Sequence, residues 1–135
     1  MQVETKGSIK VLLVEDEEFT RILIRDALTN IGMCVMAVAS VNQALAEIDE
    51  FDPNVVVTDL DLGPGPDGAD LLNKIEEERP WTGMVVLTAH ASPELAVHGG
   101  RSIPEGATYL VKSQISSASS LKAAIEESIA HPGLN

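Results

Sequence analysis

Three β-branched residues in a row, Val55-Val56-Val57, constrain the fold of this chain more than any other stretch. A run with no polar interruption suits a strand buried on both faces, and such strands belong to parallel sheets covered by helices on each side. The run leads through Thr58 to a carboxylate, Asp59, and then to the turn-forming sequence Gly63-Pro64-Gly65-Pro66. In open α/β sheets, ligands bind at the carboxyl ends of the strands. Asp59 therefore stands where chemistry is expected.

Other apolar runs repeat the pattern. Ile9–Val14, Cys34–Ala39, Met84–Thr88 and Ala107–Val111 read as further strands. Between them lie helical periodicities. Ile24, Ala27, Leu28 and Ile31 recur at helical spacing, and Phe19, Ile22 and Leu23 widen that stripe. Asn30 and Gly32 stop this helix. Val41, Ala44, Leu45 and Ile48 form one face of the next, with Ser40 as its N-cap. Leu71, Leu72 and Ile75 mark a third, ended by Arg79-Pro80. Leu121, Ile125 and Ile129 stripe the last, for which the serine-rich run 113–120 supplies a turn and the N-cap, and which ends at His131-Pro132-Gly133. The stretch from Pro93 to His98 stays ambiguous: it has room for barely two helical turns before Gly99-Gly100, and Pro104 and Gly106 add further breaks. Strands and helices thus alternate, which implies a doubly wound α/β fold with five parallel strands. One domain over 1–135, with a core of about 9–130, is expected.

Charge and cysteine usage narrow the function classes. A net charge of −12 argues against direct contact with nucleic acid or an anionic membrane. A lone cysteine, Cys34, excludes an internal disulfide and fits a reducing cytoplasm; it reads as a buried strand residue. No signal peptide is visible, and no apolar run approaches membrane-spanning length. Trp81 is expected to anchor the entry to the strand at Met84, and the histidines share no zinc-ligand spacing.

Four polar sites fall at one end of the expected sheet: Glu15-Asp16, Asp59, Thr88 and Lys112. Each alone has an ordinary structural explanation. Acidic residues after a strand favour the next helix's positive end, a strand-terminal Asp makes a turn, and Lys112 is a solvated cation. Their joint placement at one edge points to a site instead. Three carboxylates in one crevice repel unless a cation is present, and hard oxygen donors suit Mg²⁺. A carboxylate beside Mg²⁺ can attack a phosphoryl group and form an acyl phosphate. Thr88 can donate to one phosphoryl oxygen, and Lys112 can neutralise another.

These residues resemble the receiver domains of two-component response regulators. The resemblance runs from about Ile9 to Ile129 and rests on Val14-Glu15-Asp16, Val57-Thr58-Asp59 with Asp67-Gly68, Val86-Leu87-Thr88-Ala89, and Tyr109-Leu110-Val111-Lys112. It implies a flavodoxin-like fold with strand order 2-1-3-4-5. It makes Asp59 the acceptor of a phosphoryl group from a histidine kinase or phosphotransfer protein. Asp16, Asp59 and the backbone carbonyl of Asp61 would hold Mg²⁺, with Glu15 helping through water. Thr88 and Tyr109 would be the switch pair, repacking a face that controls an output domain or partner protein. The domain would promote only its own phosphorylation and dephosphorylation, so no separate substrate is expected, and a homodimer is compatible with it. By their positions two residues after Asp59 and Thr88, Asp61 and His90 either flank the attacking water and tune the phosphoryl lifetime or are solvated rim residues.

The chain also departs from the family pattern. One extra residue separates Asp59 from Gly68, Ser113 replaces the usual proline so that no cis peptide is expected, and 91–106 matches a regular helix poorly. Several features resemble receivers of actinobacterial regulators with a helix-turn-helix output domain. A pseudo-receiver that signals by protein contacts alone is the main alternative. A haloacid-dehalogenase-type phosphatase, suggested by Asp59-Leu60-Asp61, would place its nucleophile near the chain start and an acidic pair after the lysine.

Overall fold

The computed structural model describes residues 8–60, 62, 65–88, 97–98, 101–112 and 118–130, with 97–98 and 101–102 defined by backbone pairing. Five parallel strands form its sheet: β1 (Lys10–Val14), β2 (Cys34–Val38), β3 (Val55–Asp59), β4 (Gly83–Thr88) and β5 (Thr108–Val111). Their spatial order is β2-β1-β3-β4-β5, the flavodoxin-like arrangement. Among the described residues, four helices connect or flank them: α1 (Glu18–Asn30), α2 (Val41–Phe51), α3 (Gly68–Glu78) and α4 (Ala118–Ala130).

Strand alternation divides the core into two layers. Leu12, Val14, Val56 and Val86 point toward α2 and α3, where they meet Ile48, Leu71, Leu72 and Ile75. Val11, Leu13, Val55, Val57, Val85 and Leu87 point the other way, against Ile24 and Leu28 of α1 and Leu121 and Ile125 of α4. Each fully buried aliphatic side chain contributes about 1.5–3 kcal/mol. A single polar contact at the sheet edge contributes about 1 kcal/mol. The strands therefore decide the fold, and the polar edge is carried by it.

Register places the strand ends. Val14 pairs with Thr58, Asp59 with Leu87, and Thr88 with Val111. Asp59, Thr88 and Lys112 consequently emerge at the same edge, with Glu15-Asp16 beside them.

Local chemistry sets the helix ends. Ser40 caps α2, its Oγ accepting from Gln43 N at 3.1 Å. α3 begins with a reciprocal capping box, Asp70 N donating to Asp67 and Asp67 N to Asp70. Gly32, at φ 96°, turns the chain after α1 in a conformation that favours glycine.

Four expectations need correction. Phe19, Ile22 and Leu23 do not join the core; they are 71%, 38% and 58% exposed. At roughly 100° per residue, Phe19 and Ile22 lie about 140° and 160° around the helix from Ile24, so an α1 that seats Ile24 and Leu28 must turn them outward. Cys34 is exposed, because it opens the edge strand β2. Trp81 is 59% exposed and lies against the Arg79 guanidinium, 5.3 Å from the ring centroid, instead of anchoring a buried strand entry. Val97–His98 is not helical: it pairs antiparallel with Arg101–Ser102. The two glycines between those pairs in the sequence are a hairpin signal that outweighs a short apolar stretch. Asp61, His90, Ser113, the serine run up to residue 117 and the stop at His131-Pro132-Gly133 lie outside the described residues.

Candidate functional site

Glu15 continues the β1 ladder by one rung, its N–H donating to the Val38 carbonyl at 3.0 Å. The side chain is only 1% exposed. One carboxylate oxygen accepts from Glu17 N at 3.1 Å and the other from Lys112 Nζ at 3.2 Å. Burial raises its pKa above the usual carboxylate value; the Glu17 amide and Lys112 pull it back, and Asp59 pushes it up again. Asp16, next in sequence, is exposed.

Asp59 ends β3 with its side chain 15% exposed, and its Oδ2 accepts from Lys112 Nζ at 2.6 Å. Lys112 follows β5 directly. Its burial favours the neutral amine, but the Asp59 and Glu15 carboxylates outweigh that and hold its pKa above the usual lysine value. Thr88 ends β4 and is 7% exposed. Tyr109 on β5 is half-buried against the layer that faces α2 and α3, and burial raises its phenol pKa.

Glu15, Asp16 and Asp59 each offer an oxygen within 4.8 Å of the others. At that separation each carboxylate pair costs on the order of 3 kcal/mol at an effective dielectric of about 20, and less where water screens Asp16. Among the described residues, Lys112 is the ammonium bonded to these acids, reaching Glu15 and Asp59. This donor set, all hard oxygens and electrostatically in deficit, fits a small divalent cation.

Three further residues shape the site. Glu17 caps α1, accepting from Thr20 N at 2.7 Å and Phe19 N at 3.3 Å and from the Thr20 hydroxyl. Thr58, fully buried, donates its hydroxyl to the Asp59 carbonyl at 2.8 Å. Gly68 lies against the same carbonyl: a Cβ there would be 2.3 Å from the Asp59 oxygen and 2.8 Å from Leu60 Cα. A glycine shortly after a strand-end acid was the legible signal for that close approach. Sequence gives none for Thr58.

The family model for the response regulator receiver domain matches residues 11–126, and the chain belongs to that family. Among curated proteins it is 37% identical over 86 residues to the transcriptional regulatory protein TcrA of Mycobacterium tuberculosis, covering 64% of this chain and 34% of TcrA. It is 31% identical over 85 residues to the DNA-binding transcriptional regulator NtrC of Klebsiella pneumoniae, covering 63% of this chain and 18% of NtrC. The chain thus spans about a third or less of these relatives. Among solved structures, a response regulator receiver protein from Sinorhizobium medicae superposes with a TM-score of 0.76 at 25% identity, covering 92% of this chain and 96% of that one. Receiver domains are generally signalling modules rather than classical enzymes. Another relative, from Natronomonas pharaonis, is a protein-glutamate methylesterase/protein-glutamine glutaminase, of which the matched region is 24%. Among the described residues no helix is long and apolar enough to cross a membrane.

Proposed function

We propose that this chain is a phosphorylation-dependent receiver in a two-component system and that Asp59 is its phosphoacceptor. The observation that carries the reading is Lys112 bonded at 2.6 Å to a strand-end carboxylate that shares a crevice with two more acids. An Asp59 carboxylate oxygen attacks the phosphorus of a phosphohistidine in a histidine kinase or phosphotransfer protein. The P–N bond breaks, the imidazole leaves, and an acyl phosphate forms. Glu15, Asp16 and Asp59 would hold Mg²⁺, which supplies charge neutralisation for the transferring group. Lys112, already paired to the acceptor, follows the charge onto a phosphoryl oxygen. Thr88 donates its hydroxyl to another.

Movement of Thr88 frees space that Tyr109 takes up, which alters the outer face of β4, β5 and α4 and controls an output domain or partner. The family membership and the transcriptional regulators among its relatives support this reading. So does a net charge of −12, which assigns any DNA contact to another domain or protein. The same reading sets the chain in the cytoplasm and gives Asp61 and His90 a part in the lifetime of the phosphoryl group.

Intact mass after incubation with Mg²⁺ and acetyl phosphate tests the acceptor. Wild type gains one phosphoryl group, and neither Asp59→Asn nor chelated protein does. Beryllofluoride then shifts the amide signals around Thr88 and Tyr109. Silence in both experiments would favour the pseudo-receiver.

A further inference from the structure

Behind the acidic loop stands a side chain that the phosphoryl chemistry does not use. Arg21, in the first turns of α1, donates from Nη1 to the backbone carbonyl of Glu15 at 3.0 Å. That carbonyl belongs to the peptide joining Glu15 to Asp16, and a peptide unit is planar. Holding the oxygen therefore fixes the orientation of that plane, and with it the position of the Asp16 Cα that lies in it.

The two ends of this contact are well rooted. Arg21 N donates to the Glu17 carbonyl at 2.9 Å, and Glu15 N to the Val38 carbonyl at 3.0 Å. The Glu15 carboxylate is held by Glu17 N and Lys112. Asp16 is the exposed member of the acid triad, and it offers a carboxylate oxygen within 4.8 Å of those of Glu15 and Asp59 despite their like charge. Beside Arg21 an open groove of about 440 Å³ runs between α1, the end of β2 and α2, with Val38, Gln43 and Glu47 on its walls.

We propose that Arg21 is a positioning residue for the divalent-cation site, holding Asp16 toward Asp59 by fixing the Glu15–Asp16 peptide. The inference rests on reading Glu15, Asp16 and Asp59 as that site. A guanidinium suits the task, because it stays charged and its planar fork sets a direction that an ammonium does not.

The test is a Mg²⁺ titration of the full chain followed by amide chemical shifts. Wild type is compared with Arg21→Ala and Arg21→Lys, and thermal midpoints are taken in chelator. Removing an outer support of a metal ligand weakens binding by roughly tenfold or more. We expect Arg21→Ala to raise the Mg²⁺ Kd by about that factor, Arg21→Lys to lie between, and saturating Mg²⁺ to restore most of the acetyl phosphate reaction. An unchanged Kd in both variants, with wild type binding normally, overturns the inference and leaves the site reading intact. A loss that saturating Mg²⁺ does not repair, tracking a fall in thermal midpoint, assigns Arg21 to stability alone and also overturns it. Absence of Mg²⁺ binding by wild type removes the site reading itself, and the inference with it. Should Arg21→Ala fail to fold, Arg21→Lys decides.

Discussion

The two edges of the sheet end the same strands in opposite ways. At the amino edge, polar groups are matched. Asn54 Oδ1 accepts from Lys10 N at 2.8 Å, Asn54 N donates to the Lys10 carbonyl, and Gly83 N donates to the Asn54 carbonyl, so one residue ties β1, β3 and β4. Nearby, Arg79 pairs with Asp49 at 3.4 Å and with Asp52, and its Nε donates to Thr82 Oγ1 at 3.2 Å. The aspartates are 91% and 67% exposed, so pairing costs them little hydration. At the carboxyl edge, among the described residues, Glu15, Asp16 and Asp59 cluster around Lys112, and Glu15 is 1% exposed. At the amino edge the aspartates facing Arg79 are open to water, whereas Glu15 and Asp59 at the carboxyl edge are largely shielded from it. Weaker screening makes an incoming cation worth more at the second edge, and the aliphatic core holds that edge together meanwhile.

One methyl group placed at each edge should separate the two most strongly. Gly68→Ala drives a Cβ into the backbone at Asp59 and Leu60, and should lower stability by about 3 kcal/mol with phosphoryl uptake lost. Gly83→Ala meets Ser128, its Oγ at 2.7 Å and its carbonyl at 3.0 Å. Part of that obstacle is a side chain, so we expect a smaller loss, roughly 1–2 kcal/mol, and normal Mg²⁺ binding. Urea unfolding of both variants checks the order. The reverse ranking would mean that the functional edge is the more pliant one.

Cation binding should separate the edges next. Mg²⁺ at about 100 times its Kd should add roughly 2.7 kcal/mol to wild-type stability. Asp16→Asn should lose most of that gain while being slightly more stable than wild type in chelator, because one repulsive partner is gone. Thermal unfolding with and without Mg²⁺ reads both signs. A wild type that gains nothing would leave the carboxyl edge without a cation function.

Arg79→Ala sharpens the other side. Asp49 and Asp52 return to water, while buried Thr82 loses the donor to its hydroxyl. The loss is therefore packing, exposed ion pairing and one buried contact, about 1–2 kcal/mol, with an unchanged Mg²⁺ Kd by the same titration.

Acid should produce the smallest effect, and with opposite signs two residues apart. Burial first of all raises the folded pKa of Glu15 above its ordinary 4.5. Its charged form therefore destabilises the fold, and stability is regained as pH falls from that raised value toward 4.5. The Thr20 hydroxyl and amide lower the folded pKa of Glu17 below 4.5. Its contribution is present above 4.5 and lost as pH falls through the lowered value. Denaturation midpoints between about pH 3 and 7, compared for Glu15→Gln and Glu17→Gln, should flatten one limb each.

Local chemistry made much of this readable in advance. Val55-Val56-Val57 announces a doubly covered strand because side chains alternate faces along it, and Ser40 announces a helix start because its hydroxyl meets an amide three residues on. From the strands and their parallel order follows the common edge of Glu15, Asp16, Asp59, Thr88 and Lys112. Periodicity could not tell that α1 seats Ile24 and Leu28 and turns Phe19 outward, since the buried arc depends on where the helix crosses the sheet. Nor could it give the bonds from Lys112 to partners 53 and 97 residues away, or Arg21 under the acidic loop. Those contacts join elements that meet only when the sheet closes its register, so tertiary structure alone decides them.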